Sequence, residues 1–214
     1  MARVSKTVSQ QRPDEIIAAC RKLYETMSFK EITLSDISRE TSFSRPSIYN
    51  YFQTKEEIFL AIMEQEHRLW ADDLRAMIAN SSSMTADSFA RQLSASVARR
   101  EVLLKILCMN LYDIEEHSRL ERLVSFKKQY FISVGLLKEA VTKFFPSLTP
   151  KEQNSFVLSF LLCMSGVYPY SHPTDKQSQA MKIAGVSPLG GTVQSLMEEC
   201  IKNLLQGASA DITS

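Results

Sequence analysis

The chain is poor in the two residues that most often interrupt helices, with six glycines and seven prolines among 214 residues. Leu, Met, Ala, Glu and Lys, which favour helices, are frequent instead. No segment shows the alternation of apolar and polar residues that is typical of a half-buried strand. These features together predict an all-α protein.

Long apolar runs are also absent. The most apolar run, residues 156–168, has 13 residues, whereas a transmembrane helix needs about 20. The first residues are polar and lack the apolar core of a signal peptide. We therefore expect a soluble, cytoplasmic protein with no membrane partner.

The sequence lacks the spacings that metal sites and redox motifs require. Its cysteines are Cys20, Cys108, Cys163 and Cys200; no two of them form a CxxC pair, and the three histidines are scattered. There is no Gly-rich phosphate loop and no evident pairing of nucleophile and base, so we expect no enzyme, no cofactor and no metal. The cysteines are interpreted as small buried hydrophobes, with a redox-sensing thiol as the alternative.

The net charge of +1 does not by itself indicate a nucleic-acid partner, but its distribution is informative. Residues 1–55 carry nine Lys and Arg against six Asp and Glu, whereas the rest of the chain has a small acidic excess. A basic excess at one end is the electrostatic pattern expected of a nucleic-acid-binding segment. An excess of three charges supports such a segment without identifying it.

Two short helices joined by a tight turn are predicted between Thr33 and Phe52. Thr33 and Ser44 are suited to cap them, and Pro46 fits the first turn of the second helix. That second helix turns Ile48 inward and presents side chains that can bond phosphates and base edges, namely Arg45, Ser47, Tyr49, Asn50 and Tyr51. This is the layout of a helix-turn-helix, whose second helix enters the DNA major groove.

A further helix is predicted in front of this pair, from about Pro13 to Ser28, because apolar residues recur there at helical spacing. It would close the core of the small unit. Residues 1–12 are polar and basic, which fits either a frayed terminus or an arm that reaches DNA.

A capping box of Thr54 and Glu57 begins a helix that is predicted to reach about Ala79, roughly 37 Å at 1.5 Å per residue. A helix of this length is expected to connect a DNA-binding domain at 1–55 to a larger helical domain at 56–214. Further helices are predicted at about 85–97, 99–115, 118–145, 149–167, 174–185 and 193–206. The one at 99–115 is apolar on most sides and is expected to lie at the centre of the second domain.

The run Ser44-Arg45-Pro46-Ser47-Ile48-Tyr49-Asn50-Tyr51-Phe52, followed by Lys55-Glu56-Glu57-Ile58-Phe59, resembles the TetR family of bacterial transcriptional regulators. The matching segment runs from about residue 16 to 59. There are two departures, because the family often has Gly where this chain has Ser28 and Ser42. Serine tolerates a positive φ less well than glycine, so the turn is expected either to differ slightly in shape or to be a little strained.

The resemblance assigns roles to particular residues. Arg45 and Ser47 are expected to face base edges, Asn50 to face bases or phosphates, and Pro46 to lie among them. Phosphates are expected at Thr33, Ser44, Tyr49, Tyr51 and Lys55. The alternatives are that Tyr49 fills the core, that Arg45 is an ordinary solvated charge, and that Lys55 is an ordinary first-turn lysine.

The resemblance also implies a homodimeric repressor that binds a palindromic double-stranded operator and is released when a small molecule binds the second domain. The apolar faces at 150–168 and 193–206 are too wide for a lone hairpin, so we expect them to pair with a second copy in a four-helix bundle. Packing of both faces within one chain is the alternative.

Candidate effector contacts are aromatic and sulfur-containing side chains of the helical region, and each would serve equally well as plain core. They are Trp70, Cys108, Tyr112, Phe126, Tyr130, Phe131, Met164 and Tyr168. Because the set carries few charges, an apolar or aromatic effector is expected. The rival function is a ligand-independent DNA-binding protein of structural or nucleoid-associated type.

Overall fold

The computed structural model describes residues 3–187 and 190–210, with side chains for 13–187 and 190–207. Within these ranges the chain forms helices and no strand, so the all-α prediction is confirmed. The helices are α1 (Arg3–Thr26), α2 (Leu34–Arg39), α3 (Arg45–Ile48), α4 (Lys55–Asn80), α5 (Ala86–Ala98), α6 (Glu101–Met109), α7 (Leu111–Glu116), α8 (Leu120–Phe144), α9 (Pro150–Gly166), α10 (Tyr168–Ser171), α11 (Asp175–Ala184) and α12 (Val193–Ala210).

The helices pack into two compact units. The first unit comprises Met1–Gln65 and Asn110–Gln129, and the second comprises Glu66–Met109 and Tyr130–Ser214. Helices α4 and α8 therefore contribute residues to both. The packing differs from the domain boundary expected at 55/56, because residues 110–129 join the unit that contains α2 and α3.

The prediction of a single central helix at 99–115 is wrong. The chain breaks at Asn110, which separates α6 from α7. The side-chain oxygen of Asn110 does not cap α7; it accepts a hydrogen bond from the Tyr24 hydroxyl at 3.2 Å. Tyr112, just beyond the break, is 82% exposed.

Two helices are longer than predicted. α1 begins at Arg3, so Pro13 lies inside the helix instead of in its first turn. The basic side chains of residues 3–12, considered above as an arm, lie outside the described side chains. At the other end α12 continues through Gly207 to Ala210, past its expected end at 206.

The core of the first unit is built from apolar residues of short helices that could not fold alone. Ile16 of α1, Ile37 of α2 and Ile48 of α3 are fully buried, and Phe52 is almost so. The Tyr24 ring meets Phe59 edge-to-face at 4.9 Å, which ties α1 to the start of α4. The predicted closure of α1 over the helix pair is present.

The turn between α2 and α3 is not strained in the way the sequence suggested. Among the described residues no side-chain-bearing position has a positive φ, and this includes Ser28 and Ser42. The Glu15 carboxylate accepts bonds from the Ser42 backbone N–H at 2.6 Å and from its hydroxyl at 3.1 Å. Ser42, which donates two hydrogen bonds to Glu15 of α1, thus occupies the position where the family often has glycine.

The second unit is a layered helical bundle in which α12 packs against α5 and α9, and α6 packs against α9. Trp70 lies at its centre, fully buried, with its indole N–H donating to the Ser96 hydroxyl at 3.1 Å. Its ring stacks on Phe160 at 6.0 Å. No helix in the described ranges is long and apolar enough to cross a membrane.

Candidate functional site

The recognition element is α3, a helix of one turn whose start follows directly from its sequence. Ser44 is extended at φ −68° and ψ 153°, and its hydroxyl accepts the Ser47 N–H at 3.4 Å. Pro46 occupies the first turn, where its missing N–H leaves no bond unmade. The two caps predicted for α2 and α3, Thr33 and Ser44, are both present.

The outer face of α3 carries an arginine and a tyrosine one turn apart. The Arg45 guanidinium donates to the Tyr49 hydroxyl at 3.2 Å and lies 5.9 Å from the centre of its ring. Tyr49 is 44% exposed, so it does not fill the core. Asn50, next along the chain, is also exposed. These three side chains present several hydrogen-bond donors on one surface.

The remaining residues predicted to contact DNA differ in exposure. Ser44 and Pro46 are exposed, whereas Ser47 and Tyr51 are half-buried, with Tyr51 edge-on to Phe43 at 6.0 Å. The Thr33 hydroxyl already donates to the Asp36 carboxylate at 2.5 Å as part of a capping box. The structure therefore places this set around α3 with unequal access to a partner.

Lys55 is directed towards its own chain. Its ammonium group donates to the carbonyl oxygens of Phe29 at 2.6 Å and Ile32 at 3.1 Å, with Lys30 at 3.5 Å. It also lies 4.4 Å from the centre of the Phe29 ring. An ammonium has three protons, so the expected phosphate contact would require one of these bonds to open.

Sequence reasoning missed the partners that hold the end of the helix-turn-helix. Glu57, expected only as a capping residue, is buried and accepts two bonds from the Arg119 guanidinium, at 2.5 and 2.9 Å. Arg122 donates to the Tyr51 carbonyl at 2.7 Å. Both arginines lie about 60 residues from their partners in the chain, and no local spacing signals such a contact.

The eight candidate effector contacts are not brought together in either unit. Tyr112 and Phe126 belong to the first unit and the other six to the second. Tyr112 is 82% and Phe131 is 65% exposed, so neither lines an enclosed cavity within its own unit. For these two residues the placement does not support the predicted ligand contact.

The other candidates in the second unit form two groups. Trp70 and Tyr130 lie on either side of buried His67, with ring centres 6.1 and 5.2 Å from the imidazole. His67 Nδ1 is 2.9 Å from the Ser133 hydroxyl, a buried polar pair that the sequence did not reveal. Met164 is fully buried among the core residues.

The second group surrounds half-buried Tyr168. Burial raises the pKa of its hydroxyl, and the nearby Glu101 and Cys108 raise it further. The Tyr168 ring stacks on His172 at 4.4 Å, and His172 Nε2 lies 3.2 Å from the Glu101 carboxylate. This group is polar, unlike the apolar lining that was expected.

A cavity of about 270 Å³ lies between α4 and α5, and none of the eight candidates is among its lining residues. Its walls include Asp73 and Arg99, which are ion-paired at 3.0 Å. The remaining lining residues are Leu74, Ala76, Met77, Asn80, Gln92, Ala95 and Ser96. A charged pair in the wall distinguishes this cavity from the apolar site that the sequence predicted.

The four cysteines are unbridged, and their environments favour the structural interpretation. Burial raises the pKa of the Cys20 thiol to about 12. Burial, followed by a hydrogen bond with Cys163, raises the pKa of Cys200 to about 12 as well. Because the thiolate is the reactive form, these two thiols are poor nucleophiles at neutral pH. Within the described residues, no group of three or more His, Cys, Asp or Glu could hold a metal.

Comparison with known families decides what this arrangement belongs to. Residues 16–62 match the model described as bacterial regulatory proteins, tetR family, and residues 64–212 match the tetracyclin repressor-like C-terminal domain. The chain is a member of the TetR family. The N-terminal helix-turn-helix and the larger helical part that follows it are the two family domains, and the family is one of bacterial regulatory proteins.

Two curated relatives match the N-terminal part of the family pattern. The HTH-type transcriptional regulator EthR of Mycolicibacterium smegmatis is 32% identical over 62 residues, and YfiR of Bacillus subtilis, named as an HTH-type regulator, is 34% identical over 62 residues. The match covers 29% of this chain in each case. The chain spans about three tenths of the length of these relatives, 29% and 30% respectively.

Solved structures of similar fold cover nearly the whole chain. The fatty acid degradation regulator FadR of Bacillus halodurans has a TM-score of 0.59 at 16% identity, covering 91% of this chain and 98% of its own. Thermus thermophilus FadR, solved with lauroyl-CoA, has a TM-score of 0.56 at 16% identity, with 91% and 94% covered. MbdR of Azoarcus sp. CIB has a TM-score of 0.57 at 15% identity, with 91% and 97% covered. These likenesses show the shared fold.

Proposed function

We propose that α3 enters the major groove of an operator and reads its sequence. The observation that carries the proposal is the exposed Arg45–Tyr49 pair beside exposed Asn50, above the buried Ile48. Arginine binds guanine through two parallel bonds, the commonest specific contact with a base edge. Arg45 and Ser47 would face bases, with Pro46 between them, and Asn50 would face bases or phosphates.

Phosphate contacts would come from residues around the same surface, namely Thr33, Ser44, Tyr49, Tyr51 and, if its present bonds open, Lys55. Such contacts position a protein on the duplex without reading its sequence. The half-burial of Tyr51 and the engaged Thr33 hydroxyl favour Ser44 and Tyr49 as the principal pair.

We propose that the protein is a cytoplasmic repressor that binds a palindromic operator as a homodimer. Pairing with a second copy is proposed for the 150–168 and 193–206 helices. On α9, Leu158 is 61% and Leu162 is 66% exposed, which supports the part of the 150–168 helix, whereas the apolar residues of α12 pack against α5 and α9 of the same chain. Two recognition helices then require two half-sites about one helical turn apart or slightly more.

An apolar or aromatic small molecule would release the repressor by binding one of its two states more tightly. The Trp70–His67–Tyr130 group is the part of the candidate set that supports this best, because the rings of Trp70 and Tyr130 both contact that of His67. A relative of similar fold was solved with lauroyl-CoA, whose acyl chain is apolar. An acyl-chain ligand is therefore the first class to test on this chain.

The reading role of α3 is tested with Arg45→Ala. Operators are first selected from random duplex DNA with the wild type, and affinity is then measured on the selected site and on single-base variants. We expect a loss of about 1–3 kcal/mol on the selected site and relaxed preference at one position in each half-site. Arg75→Ala, which removes an exposed, ion-paired arginine of α4, is the matched control and should change neither quantity. Unchanged affinity and preference for Arg45→Ala would contradict the proposal.

A further inference from the structure

The end of the recognition helix is held by a segment that lies far along the chain. α3 has only four residues, and the turn that follows it, residues 49–54, contains no regular helix of its own. An element this short does not fix its own direction, since a single turn costs more conformational entropy than its bonds return. Its orientation must come from neighbouring side chains.

Three contacts reach this turn from residues 117–122. Arg122 donates to the Tyr51 carbonyl at 2.7 Å, and its guanidinium lies 5.0 Å from the centre of the Phe52 ring. The Thr54 hydroxyl donates to the His117 carbonyl at 3.3 Å. These contacts engage a backbone carbonyl, a buried ring and a side-chain hydroxyl of the turn that directly follows α3.

The fourth contact is a buried ion pair that joins the same two segments. The Glu57 carboxylate is fully buried and accepts bonds from the Gln53 N–H at 2.8 Å and from the Arg119 N–H at 3.3 Å, besides the two from the Arg119 guanidinium. Burial raises the pKa of Glu57, but these hydrogen bonds outweigh it, so its pKa lies below the ordinary value. The carboxylate thus stays charged, and its geometry is set by Arg119.

We propose that Arg119 and Arg122 are positioning residues for DNA recognition, which hold the turn after α3 and thereby set the direction in which Arg45 and Tyr49 point. The inference rests on the proposed function of α3 and adds residues that lie outside the helix-turn-helix. Misplacement of a recognition helix weakens every contact it makes, although no contact to DNA is removed. This consequence separates positioning from direct binding.

Salt dependence distinguishes the two roles. A lost phosphate contact reduces the slope of log affinity against log salt by about 1, whereas a lost positioning contact leaves the number of phosphate contacts unchanged. Operator affinity is therefore measured over a salt series for wild type, Arg119→Ala, Arg122→Ala and Lys128→Ala. Lys128 is an exposed cation on α8 in the same unit and is the control. Each protein is assayed at a temperature where circular dichroism shows it fully folded.

We expect Arg119→Ala and Arg122→Ala each to lower operator affinity about tenfold with an unchanged salt slope, and Lys128→Ala to keep wild-type affinity. Arg119→Lys keeps the charge but cannot make the bidentate hydrogen bond to Glu57. It should therefore have an affinity between those of Arg119→Ala and the wild type. If Arg119→Ala does not fold because Glu57 is left unpaired, Glu57→Gln with Arg119→Ala removes that charge, and Arg122→Ala tests the inference on its own.

Two results would overturn the inference. Wild-type affinity in the folded arginine variants would show a purely structural role, and a salt slope reduced by about 1 would show direct phosphate contact. Either result would leave the proposed function intact as long as the wild type binds its operator and Arg45→Ala weakens that binding. If the wild type binds no duplex specifically, the proposed function fails and the inference fails with it.

Discussion

The helix faces proposed to bind partners differ between the two units, since one is polar and the other is apolar. In the first unit α3 and the turn after it expose Arg45, Tyr49 and Asn50, while Ile48 is buried. In the second unit large apolar residues such as Leu158 and Leu162 are exposed on α9. An exposed polar helix face suits DNA, and an exposed apolar one suits another protein surface. The comparison suggests that each unit has its own class of macromolecular partner.

The units also differ in how their buried groups can be interpreted. In the first unit buried Glu57 is bonded to Arg119, a pair with the one role that we propose for it, the positioning of α3. In the second unit a buried aromatic such as Trp70 serves the core whether or not a ligand also touches it. Burial alone therefore does not distinguish a residue that lines a ligand pocket from one that only packs the core. Substitutions are needed to distinguish the two roles.

The largest effect is expected at the centre of the second unit. Trp70→Ala should lower the free energy of unfolding by about 3–5 kcal/mol, because it leaves a cavity against Phe160 and removes the donor to the Ser96 hydroxyl. Urea unfolding followed by circular dichroism measures this change. Trp70→Phe, which keeps a ring but not the N–H, should lose clearly less. A loss below about 1 kcal/mol for Trp70→Ala would mean that the site is not well-packed core.

A smaller but specific effect is expected on the outer face of α9. Replacing Leu158 and Leu162 together by lysine should raise the dimer dissociation constant at least about 100-fold, since it places charges in a buried apolar interface. Analytical ultracentrifugation over a concentration series measures the change, and helix content should stay at the wild-type level.

The control for this experiment is Ile183→Lys, which changes an even more exposed apolar residue on α11, outside the proposed interface. It should leave the dissociation constant unchanged. If both variants weaken the dimer equally, or if the wild type is monomeric at all concentrations, the α9 face is not a dimer interface.

The smallest effect concerns Lys55, where the predicted and observed contacts differ. Lys55→Met should cost about 1–2 kcal/mol of unfolding free energy, because the Phe29 and Ile32 carbonyls lose their charged donor. Thermal and urea unfolding measure the loss, with Lys30→Met as the control at an exposed neighbour. Unchanged stability together with a reduced salt slope of DNA binding would instead support the phosphate contact expected from the sequence.

The candidate DNA interface was predictable because its signals are local. Thr33 and Ser44 each accept a backbone N–H three residues further on, and Pro46 fits the first turn, so caps and turns could be placed from spacing alone. The exposure of Arg45 and Asn50 followed from the same helix, once Ile48 was assigned to the core. The effector candidates had no such local signal, and Tyr112 and Phe131 proved to lie on the surface.

The amino-acid sequence by itself determined the helical class, the helix-turn-helix and its caps, and the family, since each depends on short-range periodicity and side-chain-to-backbone bonds. Only the tertiary structure decided that the helix ends at Asn110, whose side chain accepts a hydrogen bond from Tyr24. It also decided that the Lys55 ammonium donates to three backbone carbonyls and that residues 110–129 pack in the first unit. The same holds for the pairing of Glu57 with Arg119. These outcomes depend on partners up to 86 residues away in the chain, whose approach is set by packing and not by local spacing.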